Sequence, residues 1–167
     1  MATGQLEICL VRFEDNVVLA QVLLEVLFEM KVPFDGTALS YPKLDAIYDA
    51  YQYVKADYWI VCYRNRILAG AGIALIRNGP YGFYELQKMY FLLKIKEKGL
   101  GSQMMRKCLQ QAKRFDFTDC YLETMPNMMH VQKLYQKWGF EHFEHPLGNT
   151  NHCSCPVWIV KSLQDDT

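Results

Sequence analysis

Lys96-Glu97-Lys98-Gly99-Leu100-Gly101 joins an apolar strand pattern over residues 83–93 to a helical pattern over residues 100–114, and this segment decides the fold. A glycine turn between strand and helix leaves unpaired N–H groups at the positive end of the helix dipole, where anions bind. Glycine also allows close approach of an anion to the backbone and permits positive φ. Positive charge comes from three nearby lysines, Lys94, Lys96 and Lys98. The alternative is an ordinary flexible glycine turn bordered by solvated lysines. The segment alone does not decide between this turn and an anion site.

The segment departs from two common nucleotide-binding motifs. A P-loop ends in Gly-Lys followed by Ser or Thr, and that ending is missing from the sequence. The dinucleotide fingerprint would place its third glycine at position 104, where Met104 stands. Glu123 does follow at the expected distance for a ribose-binding acid, so a Rossmann oxidoreductase stays an alternative. A hairpin pattern over residues 58–76 is untypical of such a sheet and favours a different fold.

Periodicity on both sides of the segment predicts an α/β (α+β) chain with a mixed, mostly antiparallel central sheet and about four helices. Strand patterns cover residues 5–12, 58–63, 67–76, 83–93, 120–124, 140–143 and 157–160. Helical patterns cover residues 15–30, 42–54, 100–114 and 127–138. Asp15 is the expected N-cap of the first helix, and Gly139 is the expected end of the last.

Composition limits the function classes. The 167 residues fit a single domain, residues 1–167, and carry 18 basic and 18 acidic side chains. Zero formal charge argues against a general nucleic-acid binder. Because the sequence contains neither a membrane-length apolar run nor a signal segment, and its six cysteines suggest no disulfide framework, we expect a soluble cytoplasmic protein.

Three segments in register resemble the GNAT superfamily of N-acetyltransferases. Glu85-Leu86-Gln87-Lys88-Met89-Tyr90-Phe91 looks like the fourth strand of that family, and residues 96–101 are similar to its Arg/Gln-x-x-Gly-x-Gly/Ala loop. Leu134-Tyr135-Gln136-Lys137-Trp138-Gly139-Phe140 matches its Leu-Tyr-x-x-x-Gly-Phe signature. The resemblance covers residues 58–143 and implies a single GNAT domain that uses acetyl-CoA as cosubstrate.

The resemblance also implies coenzyme contacts. Backbone groups of Met89, Tyr90 and Phe91 would bind the acyl carbonyl and the pantetheine arm. The pyrophosphate would lie on the loop made by Lys96, Glu97, Lys98, Gly99, Leu100, Gly101 and Ser102, chiefly on its amides. Tyr135 would lie near the coenzyme sulfur.

Two positions depart from the family pattern. Lys96 replaces the usual Arg or Gln, which keeps the charge but loses bidentate geometry. Met128 stands where many members have Asn, seven residues before Tyr135. Neighbouring Asn127 would then either contact the coenzyme or cap the helix, and the cap is the favoured interpretation.

Acetyl transfer to an amine requires a base, because an alkyl amine with a pKa of about 10.4 is protonated at neutral pH. Glu85, a carboxylate in an apolar strand, is the candidate base, since several family members carry a catalytic Glu there. The alternatives are that Glu85 faces solvent or pairs with Lys88. Tyr135 is the candidate acid for the leaving thiolate, against a purely packing role beside Trp138. Glu123 is a reserve base or a substrate-amine contact.

The tail from His142 to Cys155 contains histidines and cysteines, but the spacing Cys153-x-Cys155 does not favour zinc, so no metal is expected. This tail is expected to form one wall of the acceptor pocket, where His145 or His152 would touch substrate. The similar segment Pro-Leu-Gly-Asn-Thr-x-His, residues 146–152, occurs in bacterial GNAT proteins. The first two helices are expected to form the opposite wall, with four aromatic residues, Phe34, Tyr41, Tyr48 and Tyr51, that core packing would also explain.

The sequence therefore predicts direct, ternary-complex transfer of an acetyl group from acetyl-CoA to a primary amine on a small molecule or peptide. The alternative from another class is a degenerate GNAT domain that binds acyl-CoA as a sensor or partner module. No nucleic-acid or membrane partner is expected. Family members often form homodimers, and nothing in the sequence decides this point.

Overall fold

The computed structural model describes residues 5–33, 44–92, 95, 99–150 and 155–164, apart from the side chain of His130. Within them, one sheet contains seven strands: β1 (Glu7–Leu10), β2 (Asp57–Tyr63), β3 (Arg66–Leu75), β4 (Phe83–Phe91), β5 (Asp119–Thr124), β6 (Glu141–Phe143) and β7 (Val157–Ser162). The helices are α1 (Asn16–Glu29), α2 (Ile47–Ala50), α3 (Leu100–Arg114) and α4 (Met129–Lys137). The predicted fold class, a mixed sheet with about four helices, is confirmed.

The strands lie in the order β1-β2-β3-β4-β5-β7-β6, and the β4–β5 pairing is parallel whereas the others are antiparallel. A parallel pair needs a crossover connection, and α3 lies in it. Every residue of β4 and β5 is described. Their pairing begins with Phe83 opposite Asp119 and ends with Glu85 opposite Tyr121. Beyond Glu85 the strands part, which opens the sheet at its centre.

The β2–β3 hairpin and the β3–β4 pairing each contain a local irregularity. Arg64 and Asn65 have φ of 47° and 61°, as in a type I′ turn, which confirms the predicted tight hairpin. Gly70 lies opposite Tyr90, whereas Gly72 lies opposite Gln87, so β4 carries an extra residue at this point. This β-bulge includes Lys88, whose φ of 46° is left-handed.

Of the two N-terminal helices, the first agrees with the prediction, with Asp15 as its N-cap, and the second differs. A 3₁₀ turn, Phe13–Asp15, precedes α1, and the Asp15 carboxylate accepts a hydrogen bond from the Arg12 backbone N–H at 2.8 Å. The predicted helix over residues 42–54 is wrong over most of its length, because α2 spans four residues after the 3₁₀ turn Leu44–Ala46. The chain leaves the helix at Tyr51, whose ring packs 5.1 Å from that of Tyr58 on β2.

The core packs α1 and α3 against the sheet. Leu23 and Val26 of α1 and Met104 and Met105 of α3 are completely excluded from solvent. Burial of each such side chain contributes roughly 1.5–3 kcal/mol, so these helices are anchored firmly beside β4. Among the described helices, none is both long and apolar enough to cross a bilayer.

Candidate active site

A small cavity lies where β4 and β5 part. Its volume is about 60 Å³. Its wall includes side chains from four parts of the chain, Glu85 and Lys88 of β4, Glu123 of β5, Tyr135 of α4, and Met30 and Cys155 from the loops. We call it the acceptor cavity, after the acceptor pocket that the sequence predicts.

A larger cleft of about 270 Å³ lies between β4 and the helices α3 and α4. Phe91, Gly101 and Leu134 belong to its wall. Met89 and Tyr135 line both this cleft and the acceptor cavity, so the two spaces adjoin across these side chains. We call the larger space the coenzyme cleft, after the coenzyme site that the sequence predicts, because it meets the first turn of α3.

Glu85 lies in the wall of the acceptor cavity with 2% of its surface exposed. Gln87 Nε2 donates to Glu85 Oε2 at 2.6 Å, and Gln87 Oε1 in turn accepts from the Tyr51 hydroxyl at 2.5 Å. Burial raises the pKa of Glu85 to about 7, although the Gln87 hydrogen bond and the charge of Lys88 act in the opposite direction. The alternative that Glu85 faces solvent is wrong, whereas its attraction to Lys88 is present.

Lys88 is a site residue that sequence reasoning named only as a partner of Glu85. It is 7% exposed, and its carbonyl accepts a hydrogen bond from the Tyr58 hydroxyl at 3.0 Å. Burial lowers the pKa of Lys88 to about 8, and Glu85 opposes that shift. A lysine inside an apolar strand, three residues after a glutamate, was the available signal.

Glu123 holds the loop between β6 and β7 against the sheet. Its two oxygens accept hydrogen bonds from the hydroxyl groups of Tyr121 at 2.6 Å and Thr150 at 2.8 Å. The Tyr121 oxygen also accepts the backbone N–H of Leu147 at 3.2 Å. Burial raises the pKa of Glu123, and both hydroxyl bonds lower it. These contacts hold the described part of the tail near the cavity, which Cys155 lines, and its role as a wall of the acceptor pocket stays a prediction.

Tyr135 is positioned by the end of α4. Gly139, with φ of 86°, donates its N–H to the Gln136 carbonyl at 3.0 Å, and Phe140 donates to the Tyr135 carbonyl at 3.1 Å. These two bonds form a Schellman motif, which confirms Gly139 as the end of the helix. Burial raises the pKa of the Tyr135 phenol, so it is protonated at neutral pH.

Gly99 is the N-cap of α3, with φ of 67° in the left-handed region that favours glycine. The first turn of α3 contains no acidic residue, and Gly101 faces the coenzyme cleft while Leu100 is buried. The first N–H groups of a helix have no partner within it, so those of Leu100, Gly101 and Ser102 are of the kind that bind an anion. The predicted contacts Lys96, Glu97 and Lys98 lie outside the described residues.

The prediction that Asn127 caps α4 is wrong. Met128 occupies the N-cap and accepts the Gln132 N–H at 3.0 Å, and the described residues show no side-chain cap there. The turn before the helix is held instead by Gln132 Nε2, which donates to the Met125 carbonyl at 2.9 Å. Asn127 is exposed in that turn, and a coenzyme contact for it stays a prediction.

The structure describes some of the other predicted tail and aromatic residues, and the rest lie outside the described residues. His145 is exposed, packs 4.7 Å from the Phe143 ring and does not line the acceptor cavity, whereas His152 lies outside the described residues, as do Phe34 and Tyr41. Tyr51 reaches Glu85 through Gln87. In the described part of the chain, no three His, Cys, Asp or Glu side chains are grouped so as to hold a metal ion.

Residues 9–140 match the model of the acetyltransferase (GNAT) family, and the chain belongs to that family. The Escherichia coli (strain K12) protein described as uncharacterized N-acetyltransferase YjgM is 36% identical over 151 residues, which cover 90% of each chain. An acetyltransferase of the GNAT family from Staphylococcus aureus Mu50 has the same fold, with a TM-score of 0.84 at 16% identity and coverage of 95% of this chain and 99% of that one. The PaiA N-acetyltransferase of Thermoplasma acidophilum, solved in complex with coenzyme A, gives 0.74 at 15% identity, with 95% and 99% covered.

Proposed function

We propose that this protein is an N-acetyltransferase that transfers an acetyl group from acetyl-CoA directly to a primary amine within a ternary complex. One observation carries the proposal. Met89 and Tyr135, together with Met30 and Val131, line both the cavity that holds the buried carboxylate Glu85 and the cleft that meets the N-terminus of α3. A thioester in the cleft would thus face an amine in the cavity.

The coenzyme cleft supplies the binding functions that acetyl-CoA needs. Its apolar wall suits the pantetheine arm, which would contact the backbone of Met89, Tyr90 and Phe91. The N–H groups of the first turn of α3 suit the pyrophosphate, because that helix end carries partial positive charge. Coenzyme A bound to the PaiA relative, which has the same fold, supports this assignment.

Glu85 and Tyr135 would supply the proton transfers. With its pKa raised to about 7, Glu85 is ionised in a large fraction of molecules at neutral pH and can accept the proton of the incoming ammonium. The amine nitrogen then attacks the thioester carbonyl carbon, the carbon–sulfur bond breaks, and the nitrogen releases the proton that restores Tyr135 after it has protonated the thiolate. The buried phenol of Tyr135, protonated at this pH, donates a proton to the leaving thiolate. Within the proposal, the 167 residues act as one acetyltransferase domain.

A CoA-release screen over polyamines, amino acids, aminoglycosides and peptides with free N-termini tests the function. Glu85→Gln and Tyr135→Phe are measured beside the wild type, with Glu141→Gln on the exposed edge of β6 as the matched carboxylate control. We expect at least one acceptor class to be acetylated, with both site variants slowed and the control unchanged. If neither site variant slows transfer to any acceptor, the catalytic assignment is wrong. Calorimetric binding of acetyl-CoA without transfer to any amine would instead identify a binding module.

A further inference from the structure

Three ionisable side chains from the two parting strands line the acceptor cavity together: Glu85, Lys88 and Glu123. Glu85 and Lys88 are nearly inaccessible to water, with 2% and 7% of their surface exposed. Charges in such an environment are weakly screened, so each one changes the proton affinity of its neighbours. Glu85 interacts electrostatically with both other members of the group.

Local backbone structure places Lys88 in this group. In a regular strand, residues three apart face opposite sides of the sheet. The β-bulge and the left-handed φ of 46° at Lys88 break that alternation on β4. The Tyr58 hydroxyl donates a hydrogen bond to the Lys88 carbonyl and so fixes it. Gly70 leaves space for the Tyr58 side chain, since a Cβ at Gly70 would collide with the Tyr58 oxygen. The lysine ammonium thus lies near the Tyr51 ring, 5.8 Å from its centroid.

Glu123 is fixed by different contacts. The hydroxyls of Tyr121 and Thr150 each bind one of its oxygens, so its negative charge has a defined position at the end of β5. That charge opposes ionisation of Glu85, whereas Lys88 favours it.

Other titratable groups line the cavity or act on Glu85 from the elements beside it. Tyr90 lies on β4, Cys120 and Tyr121 on β5, Tyr135 on α4, Tyr51 after α2, and Cys155 before β7. Burial raises the pKa of Tyr90, Cys120, Tyr121 and Tyr135, so these four carry no charge at neutral pH. Gln87 contributes a neutral hydrogen bond.

We propose that Lys88 and Glu123 are positioning residues that set the ionisation of Glu85 with opposite sign, Lys88 favouring the carboxylate and Glu123 opposing it. Together the three residues form an acid–base triad, in which the two outer charges change the ionisation of Glu85 in opposite directions. This inference rests on the proposed function only where it treats Glu85 as the base, because the ionisation of Glu85 can be measured without turnover.

The test is a ¹³C NMR titration of the full chain labelled at the glutamate side-chain carboxyl carbons, with the Glu85 signal assigned by its loss in Glu85→Gln. We expect Lys88→Met to raise the midpoint of Glu85 by about one pH unit or more. Lys88→Arg keeps a positive charge and leaves the midpoint near that of the wild type. Glu123→Gln keeps hydrogen-bonding capacity and lowers the midpoint. Lys107→Met, which removes a charge from the exposed face of α3, is the control and changes nothing.

Opposite shifts support the triad, because a general loosening of the site would move both variants in one direction. The inference is overturned if the midpoint stays fixed in the Lys88 and Glu123 variants, or if both variants shift it in the same direction. Should Lys88→Met fail to fold, Lys88→Gln replaces it, because loosening alone would lower the midpoint and only loss of the positive charge raises it. Two measurements separate this inference from the proposed function. If Glu85→Gln stays active and keeps the acid limb of kcat/KM, Glu85 is not the base. The NMR midpoints test the inference about ionisation independently of that result.

Discussion

The backbone carbonyl of Tyr135 accepts a hydrogen bond from the Phe140 N–H at 3.1 Å, and the rings of these two residues pack with centroids 5.5 Å apart. Gly139 lies between them in the left-handed conformation that allows the bond. The helix C-cap at Gly139 therefore explains the spacing of the Leu-Tyr-x-x-x-Gly-Phe segment. It returns a phenylalanine ring onto the tyrosine and so fixes the tyrosine at the shared wall of the two cavities.

Gly139→Ala should destabilise the protein by about 1–2 kcal/mol, because a side chain is strained at φ of 86°. The added Cβ would also lie 3.2 Å from Lys161 Nζ. Urea denaturation measures the loss, and acetyl transfer should fall with it as Tyr135 shifts. Gly101→Ala, in the first turn of α3, is the control for the loss of a glycine in the denaturation alone, because Gly101 lines the coenzyme cleft. Equal stability of the Gly139 variant and the wild type would contradict the capping role.

Tyr135→Phe should lower kcat by about 10²-fold while leaving the free energy of unfolding within about 1 kcal/mol of the wild type. The ring contact with Phe140 is retained and only the proton donor is lost. Steady-state kinetics with the best acceptor from the screen, together with the Kd for acetyl-CoA, separates chemistry from binding. Tyr53→Phe, at an exposed tyrosine, is the control. Unchanged kcat would leave Tyr135 with a packing role only.

The rate of acetyl transfer should fall as the pH drops through about 7, because Glu85 must be ionised to accept a proton and burial raises its pKa to about 7. The sign follows from the role: a base loses activity on protonation, so kcat/KM declines on the acid side. Glu85→Gln should remove this limb together with roughly 10²–10⁴-fold of the rate. An acid limb near the ordinary pKa of about 4.3 for an exposed glutamate would contradict a buried base.

Thr150→Val should raise the KM for the acceptor several-fold without changing the KM for acetyl-CoA. The substitution keeps the shape of the side chain but removes its hydrogen bond to Glu123, one of the contacts that hold the β6–β7 loop at the acceptor cavity. Thr118→Val is a matched control, since Thr118 Oγ1 donates to Asp119 Oδ2 at 2.7 Å at the start of β5. A change in both KM values would mean that the loop also shapes the coenzyme cleft.

Lys96→Ala should weaken binding of acetyl-CoA by less than about tenfold, if the helix N–H groups hold most of the pyrophosphate. One exposed ion pair contributes about 0–1 kcal/mol, which sets this bound. Isothermal titration at two salt concentrations measures it, with Lys137→Ala on α4 as a control for general charge. A loss of two orders of magnitude would assign the main role to the lysine.

Local patterns were sufficient to predict much of the fold. The β2–β3 hairpin, α3 and the Gly139 stop follow from turn residues and periodicity, which act over a few neighbours along the chain. The prediction of a helix over residues 42–54 is wrong because Tyr51 contacts residues that lie further along the chain. Its ring packs on Tyr58 and its hydroxyl binds Gln87, and these contacts replace the helical continuation.

The site shows the same division. Glu85 and Tyr135 were identified because each lies in a recognisable segment, although the structure leaves their chemical roles as proposals. The placement of Lys88 depends on a bulge opposite Ala71 of β3, and such an irregularity has no signal in the β4 sequence alone. Likewise, the contact between Glu123 and Thr150 joins residues 27 positions apart. Neither arrangement is visible before the chain is folded.

The parting of β4 and β5 has a consequence for folding. Three residue pairs join an antiparallel unit of β1 to β4 with an antiparallel unit of β5, β7 and β6, so the sheet has a seam with few backbone hydrogen bonds. Because so few backbone hydrogen bonds join the two units, the seam should open more readily than either unit. Native-state hydrogen exchange should show two cooperative units that open separately. A coenzyme in the cleft that β4 and α4 line together would contact both units at once and would hold the seam closed.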